Sequence, residues 1–307
     1  MPNVLSPALV AVYALVASAL YVHFRGRDRH PFTRQLTDHS TFLAPFNLLI
    51  YLFSAVPNRP FIETERFSDL KLLRDNWRVF REEALGLYEQ GGIAASESYD
   101  DLGFNSFFKK GWKRFYLSWY GDPLPSAQAL CPRSVALLSR APSVKAAMFA
   151  VLPPGGKLVR HRDPYAGSLR YHLGLATPNS PACRIVIDGT PYHWRDGEDL
   201  VFDETYIHSA VNESDQTRII LFCDIERPLH TAAARAVNRF IATRVLPATA
   251  TKNQAGERVG ALNRLFGLVY PLRLRIKRFK HANRRLYYRL KYAGVALALG
   301  LVVWSAI

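Results

Sequence analysis

Apolar residues gather in long runs at the two ends of this chain, whereas in its middle they alternate with polar ones over short stretches. Met1 to Phe24 carries no Asp, Glu, Lys or Arg, and as a helix its length suits a hydrocarbon core of about 30 Å. This predicts an N-terminal transmembrane anchor over residues 1–25. Ala17-Ser18-Ala19 also fits a signal-peptide cleavage site, but no Lys or Arg precedes the run and Arg25, Arg27 and Arg29 follow it. The positive-inside rule favours a retained anchor with the following chain in the cytoplasm. A second run, Leu43 to Val56, contains Pro45 and is too short to span as a straight helix. It suits a core helix or a segment lying in the membrane interface, within a juxtamembrane stretch 26–60.

Ser68 to Gln90 reads as a helix. Ser68 can cap it, Leu70, Leu73, Trp77 and Phe80 recur at three-to-four spacing, and Gly91-Gly92 ends it. From Val144 the texture changes to short strands separated by turn residues. Ala147 to Leu152, Leu169 to Leu175, Arg184 to Ile187, Leu200 to Phe202 and Arg218 to Ile225 read as strands, separated by Pro153-Pro154-Gly155-Gly156, Pro178-Asn179-Ser180 and Asp188-Gly189. Short antiparallel strands with such turns predict a sandwich or jelly roll. The expected class is α+β, a double-stranded β-helix over 61–230 with flanking helices. Residues 231–291 read as basic and helical, and the uncharged stretch Tyr292 to Ile307 as a C-terminal membrane anchor, slightly short for a full span.

Charge sharpens the picture at the C-terminal end. The 307 residues hold 40 Lys and Arg against 25 Asp and Glu, a net charge of +15, which favours an anionic partner. Arg273, Arg275, Lys277, Arg278, Lys280, Arg284, Arg285, Arg289 and Lys291 crowd beside apolar sequence. This is the pattern of contact with the anionic cytoplasmic leaflet, and it accounts for much of the charge without nucleic acid. Lys109 to Phe115 mixes cations with aromatics and suits either phosphate and acyl groups together or a solvated edge strand with one buried face. Three scattered cysteines form neither a disulfide framework nor a zinc-finger spacing, and point to a reducing compartment.

The candidate chemistry lies between His161 and Arg218. On an extended chain His161 and Asp163 share a face, so they can hold one ion together. His208, far along the chain, would complete two imidazoles and one carboxylate on one side of a metal, the facial triad of non-haem Fe(II) oxygenases. Arg218, ten residues beyond His208 on a strand, offers a bidentate partner for a carboxylate. Arg170 and His172 share a strand face and can line the same cavity. A surface ion pair for Arg170 and a hydrogen-bonded core position for His172 remain open.

The segment His161 to Pro228, with Arg170-Tyr171-His172-Leu173-Gly174-Leu175, Asp203-Glu204-Thr205-Tyr206-Ile207-His208 and Arg218-Ile219-Ile220-Leu221, resembles the aspartyl/asparaginyl β-hydroxylase family of 2-oxoglutarate dioxygenases. Asn76-Trp77 fits the same family. An N-terminal apolar run leading into Tyr21-Val22-His23-Phe24-Arg25-Gly26, together with the basic, apolar C-terminus, resembles its bacterial branch, the lipid A 2-hydroxylases. The animal peptide hydroxylases of the family lack the carboxylate of the first motif, whereas this chain has Asp163.

The resemblance implies that His161, Asp163 and His208 hold Fe(II), that 2-oxoglutarate chelates it, and that Arg218 pairs with the distal carboxylate of this cosubstrate. Arg170 and His172 would sit behind, orienting cosubstrate or ligands, with ascorbate as an activator. It implies hydroxylation by dioxygen of carbon 2 of a secondary acyl chain of lipid A, or a related acylated phosphoglycolipid, at the bacterial inner membrane. A peptide aspartyl/asparaginyl hydroxylase, a non-catalytic jelly-roll binding protein and a zinc hydrolase are the competing expectations.

Overall fold

The computed structural model describes residues 6–96 and 99–306. Its centre is two antiparallel sheets built from ten strands. These are β1 (Phe61–Ile62), β2 (Lys113–Trp119), β3 (Val144–Leu152), β4 (Lys157–His161), β5 (Ser168–Ala176), β6 (Cys183–Ile187), β7 (Thr190–His193), β8 (Asp199–Phe202), β9 (His208–Asn212) and β10 (Arg218–Glu226). The larger sheet runs β1-β8-β5-β10-β3-β2 and the smaller β4-β9-β6-β7. Every predicted strand is present, with ends shifted by at most three residues. The short, polar strands β4, β7 and β9 carry too few apolar residues to announce themselves.

The larger sheet is buried on both faces, and the period of two decides which residue goes where. In β10, Ile219, Leu221, Cys223 and Ile225 join one apolar cluster, while Ile220 and Phe222 join another. The first cluster is roofed by short helices: α5 (Leu70–Asp75), α6 (Trp77–Glu89), α8 (Pro125–Leu130) and α9 (Pro132–Leu138), following α1 (Pro7–Phe24), α2 (Phe32–Gln35), α3 (His39–Phe42) and α4 (Ala44–Leu52) in the chain, with α7 (Asn105–Phe108) between. Leu73, Phe80 and Ala84 from the roof meet Leu169, Tyr171 and Leu173 of β5. The second cluster fills the space between the sheets and surrounds the site described below. The fold is thus mixed α and β around a jelly-roll-like double sheet.

The expected single helix over 68–90 is two. Asn76 leaves helical geometry (φ −105°, ψ 21°) and its side-chain amide donates to the Leu72 carbonyl at 2.9 Å, a local bond that competes with the helical ladder. The far end stops as predicted, with Gly91 at φ 73° and the Gly92 N–H donating to the Leu87 carbonyl at 2.8 Å. Lys113–Trp119 is indeed an edge strand, yet Arg114 to Leu117 are all buried, so both faces are covered.

The two ends differ from expectation. Among the described residues no helix is long and apolar enough to cross a membrane. The N-terminal run forms α1, 18 residues or about 27 Å long at ~1.5 Å per residue. Its last turns are taken into the fold, with Ser18, Val22 and His23 buried; residues 1–5 of the expected anchor lie outside the described residues. At the C-terminus, α10 (Ala232–Phe240) and α11 (Ala261–Ala282) precede α12 (Arg284–Ala306). Arg284, Arg285, Arg289 and Lys291 are part of α12 itself, which shortens its uncharged portion. Neither anchor is therefore borne out as a span. Leu43 to Val56 forms α4 with two characters: Ala44, Asn47, Ile50 and Tyr51 are buried, while Leu49 and Leu52 are exposed.

Phe80→Ala should lower stability by about 3–5 kcal/mol, because the ring is fully buried against the sheet. Urea unfolding followed by circular dichroism measures it, and an unchanged midpoint would mean that the roof is not part of the cooperative core.

Candidate active site

β4 ends and β9 begins at the same level, so His161 and His208 are direct cross-strand partners with ring centroids 4.2 Å apart. Asp163 follows in the next loop. Its backbone N–H donates to the Glu204 carbonyl at 2.9 Å, and its carboxylate lies 3.8 Å from His161 Nε2. One ligand atom from each of His161, Asp163 and His208 can be chosen so that all lie within 4.8 Å of one another. The sequence pattern thus named three residues that the fold brings together.

The protonation of this group suits a cation. His161 Nδ1 lies 2.6 Å from the Val159 carbonyl and His208 Nδ1 lies 3.0 Å from the Tyr206 carbonyl. A carbonyl can only accept, so each Nδ1 carries hydrogen and each neutral ring offers its Nε2 lone pair. Burial pushes His161 below its ordinary value and His208 down to about 3, which keeps both rings neutral. Burial opposes the charge on Asp163, but Arg170 outweighs it and, with His208 and His161, holds the carboxyl below its usual range. Two lone pairs and one carboxylate are the donor set that a divalent transition metal takes.

Arg170 is buried and bonded to carboxylates. Its Nη2 donates to Asp163 at 2.8 Å and to Glu204, and its Nε lies 3.0 Å from Asp224, attracted by charge without hydrogen-bond alignment. Ser168 Oγ donates to Glu204 at 2.7 Å and Tyr120 Oη to Asp224 at 2.9 Å. Burial, with Asp224 and Asp163 close by, pushes Glu204 well above the usual carboxylate range. Arg170 therefore fixes the rotamer of Asp163. Glu204 and Asp224 were not singled out from the sequence, although a signal existed: Asp224 stands in the apolar run of β10 with the same parity as Arg218 and Phe222.

Farther along the same sheet face the surroundings change. Arg218 is 2 % exposed, its guanidinium stacks 4.5 Å from the Trp194 ring, and among the described residues neither Nε nor Nη2 has a partner. Burial pushes it down to about 10, with no carboxylate to offset the effect. His172 accepts from Trp194 Nε1 at 3.4 Å through Nδ1, so its neutral ring carries hydrogen on Nε2, which also lacks a partner. His161, Asp163, His208, Arg170, His172 and Arg218 all line one cavity, walled further by Phe107, Trp112 and Phe222. A buried, unpaired guanidinium is costly unless an anion meets it. The cavity therefore combines three candidate metal donors with a guanidinium suited to an anion. Trp194, which orients both His172 and Arg218, had no sequence signature.

Two antiparallel sheets with such a triad between them define a jelly-roll-like protein with a candidate metal centre. The model of the aspartyl/asparaginyl beta-hydroxylase family matches residues 74–228, and the chain belongs to that family. It is similar to the ornithine lipid ester-linked acyl 2-hydroxylase of Rhizobium tropici, 40% identical over 128 residues that make up 41% of this chain and 45% of that protein. It is also similar to aspartate beta-hydroxylase domain-containing protein 2 of Homo sapiens, 29% identical over 62% of this chain and 54% of the relative. The chain spans about half the length of these relatives. Among solved structures, a prolyl-4-hydroxylase of Pseudomonas putida aligns with a TM-score of 0.33 and 17% identity, over 50% of this chain and 88% of that one.

Replacing Arg170 by Met leaves the buried Glu204 and Asp224 and the half-buried Asp163 facing one another without that cation. The expected loss is about 3–5 kcal/mol of stability, measured by urea unfolding; a variant as stable as the wild type would show that the cation does not hold this cluster.

Proposed function

We propose that the protein is an Fe(II)- and 2-oxoglutarate-dependent hydroxylase that places a hydroxyl group on carbon 2 of an ester-linked acyl chain of a polar membrane lipid, with lipid A as the substrate. The observation that carries this reading is the unpaired Arg218 guanidinium in the same cavity as the His161, Asp163 and His208 donors. Bound Fe(II), with dioxygen and 2-oxoglutarate, supplies the oxidising power for an unactivated C–H bond: one oxygen atom enters the C–H bond as hydroxyl, the other leaves in succinate, and CO2 is released.

The residues of this chain bind and orient. His161, Asp163 and His208 would hold the metal from one side and leave its other positions open. Arg218 pairs with the distal carboxylate of the cosubstrate, and His172 Nε2–H donates a hydrogen bond into the same space. Arg170 keeps Asp163 in one rotamer, and Phe107, Trp112 and Phe222 exclude water from the reacting end.

Support for a lipid comes from two sources. The Rhizobium tropici relative is named for an acyl 2-hydroxylation. In addition, α11 and α12 carry Arg and Lys with no acidic residue and leave Leu265, Leu268, Leu272, Leu297 and Trp304 exposed, a combination suited to the surface of an anionic leaflet. With the catalytic domain on the cytoplasmic side of the inner membrane, the acyl lipid would be met before export.

The reaction is tested by incubating the protein with Fe(II), ascorbate, 2-oxoglutarate and either lipid A or an ornithine lipid under air, followed by mass spectrometry. A gain of one oxygen that needs both air and 2-oxoglutarate is expected, and is lost in His208→Ala. Gain on the ornithine lipid alone would replace lipid A; succinate without any lipid product would point to a peptide substrate. Arg218→Ala should raise the KM for 2-oxoglutarate by about tenfold to a hundredfold, the worth of a charged hydrogen bond. A KM unchanged in the succinate assay would assign the carboxylate elsewhere. Binding to vesicles containing anionic lipid should fall steeply with salt, and salt-insensitive binding would remove the electrostatic part of the membrane reading.

A further inference from the structure

The two loops that carry the metal-ligand residues are held from outside the family-matched segment 74–228. The stretch between the end of α1 and the end of α4 reaches both. At the second loop, the side chain of Arg25 is enclosed and bridges two residues, donating from Nη2 to Asp203 Oδ2 at 2.9 Å and from Nη1 to Thr205 Oγ1 at 2.9 Å. Its guanidinium lies between the rings of Tyr51 and Tyr206, 3.9 and 4.0 Å from their centroids. Tyr51 Oη donates to the same Thr205 hydroxyl at 2.8 Å, and Arg227 meets Asp203 Oδ2 at 2.8 Å from the other side. Tyr206 is the residue whose carbonyl accepts from His208 Nδ1. Only one residue separates the Arg25 clamp from the imidazole.

The first loop is gripped in the same way. The Arg162 carbonyl, between His161 and Asp163, accepts from His39 Nε2 at 3.0 Å, and the Arg162 side chain donates to the Val22 carbonyl at 3.1 Å. Asn47 donates to the Pro164 carbonyl at 2.9 Å and accepts from the Ala166 N–H at 3.0 Å. Arg34 donates to the Arg160 carbonyl at 3.2 Å. Residues 162–166 and 203–207 contain no strand of their own, so the spacing of the donor atoms depends on what holds these loops.

We propose that residues 22–51 complete the metal centre, with Arg25, His39 and Asn47 as positioning residues that set the distance between the His161–Asp163 loop and the His208 loop. The inference rests on reading His161, Asp163 and His208 as metal ligands. It gives a role to Tyr21-Val22-His23-Phe24-Arg25-Gly26, which no cavity residue explains, and it makes the seating of α1 part of the geometry of the site.

The test is Co(II) titration of the full-length, metal-free protein, read by visible absorption, alongside the thermal midpoint of each variant. Arg25→Ala and Asn47→Ala should each weaken Co(II) binding about tenfold or more and alter the absorption envelope. Arg25→Lys keeps the charge opposite Asp203 but not the flat, two-pronged donor, and should fall between. Phe80→Ala, a cavity under the helical roof on the reverse face of the larger sheet, should lower the thermal midpoint and leave the Co(II) constant unchanged. Wild-type affinity in Arg25→Lys, Arg25→Ala and Asn47→Ala would overturn the proposal, as would equal weakening in Phe80→Ala, which would reduce it to general stability. Failure of the wild-type protein to bind Co(II) would instead remove the metal assignment, and this inference with it.

Discussion

Arg170 is the cation on which the geometry of the site depends. It enters from the middle of β5 and binds carboxyl groups from three other segments: Asp163 in the first loop, Glu204 in the second and Asp224 in β10. Without a cation at that point the carboxyl groups would repel one another in a region too dry to screen them. With it, they become a fixed frame, and Asp163 is held ionised and aimed at His161. The same residue stacks 3.8 Å from the Phe222 ring, so the ionic frame and the apolar wall of the cavity share one side chain.

The two buried arginines of the cavity are therefore opposites. Arg170 is enclosed by its own protein's carboxyl groups and serves the structure. Arg218, at the start of β10, stacks on Trp194 and has unpartnered donors. Their difference gives the cavity its direction, with the candidate metal donors beside the paired arginine and the unpaired guanidinium away from them. A two-sheet fold can do this because adjacent strands deliver side chains to one interior while the helices seal the reverse face.

The ends of the chain add a second layer of dependence. The apolar run that would suit a membrane span instead closes into the fold at Val22 and His23 and delivers Arg25 to the loop before His208. At the other end the cations are shared between α11 and the first turns of α12. Apolar side chains on α1, α4, α11 and α12 remain exposed.

Much of this was legible in advance, for definite reasons. Leu169 to Leu175 alternates with a period of two, which puts Arg170 and His172 on one face, and Arg218 to Ile225 is an almost continuous apolar run because both faces of that strand are buried. His161, Asp163 and His208 were readable because metal chemistry needs those residue types and little else supplies them. Other features had no local signature. Asn76 broke a helix that periodicity ran straight through. Glu204 and Trp194 are ordinary residues until β5 and β10 bring Arg170 and Arg218 beside them. The clamp of Arg25 on Asp203 joins residues 178 apart in the chain, and no spacing rule reaches that far. By itself the sequence determined the strand faces, the donor set and the basic ends, since these follow from local alternation and composition. Which arginine is paired, what holds the ligand loops and how the apolar ends are used were decided by tertiary contact, because each depends on desolvation and on partners that only folding brings near.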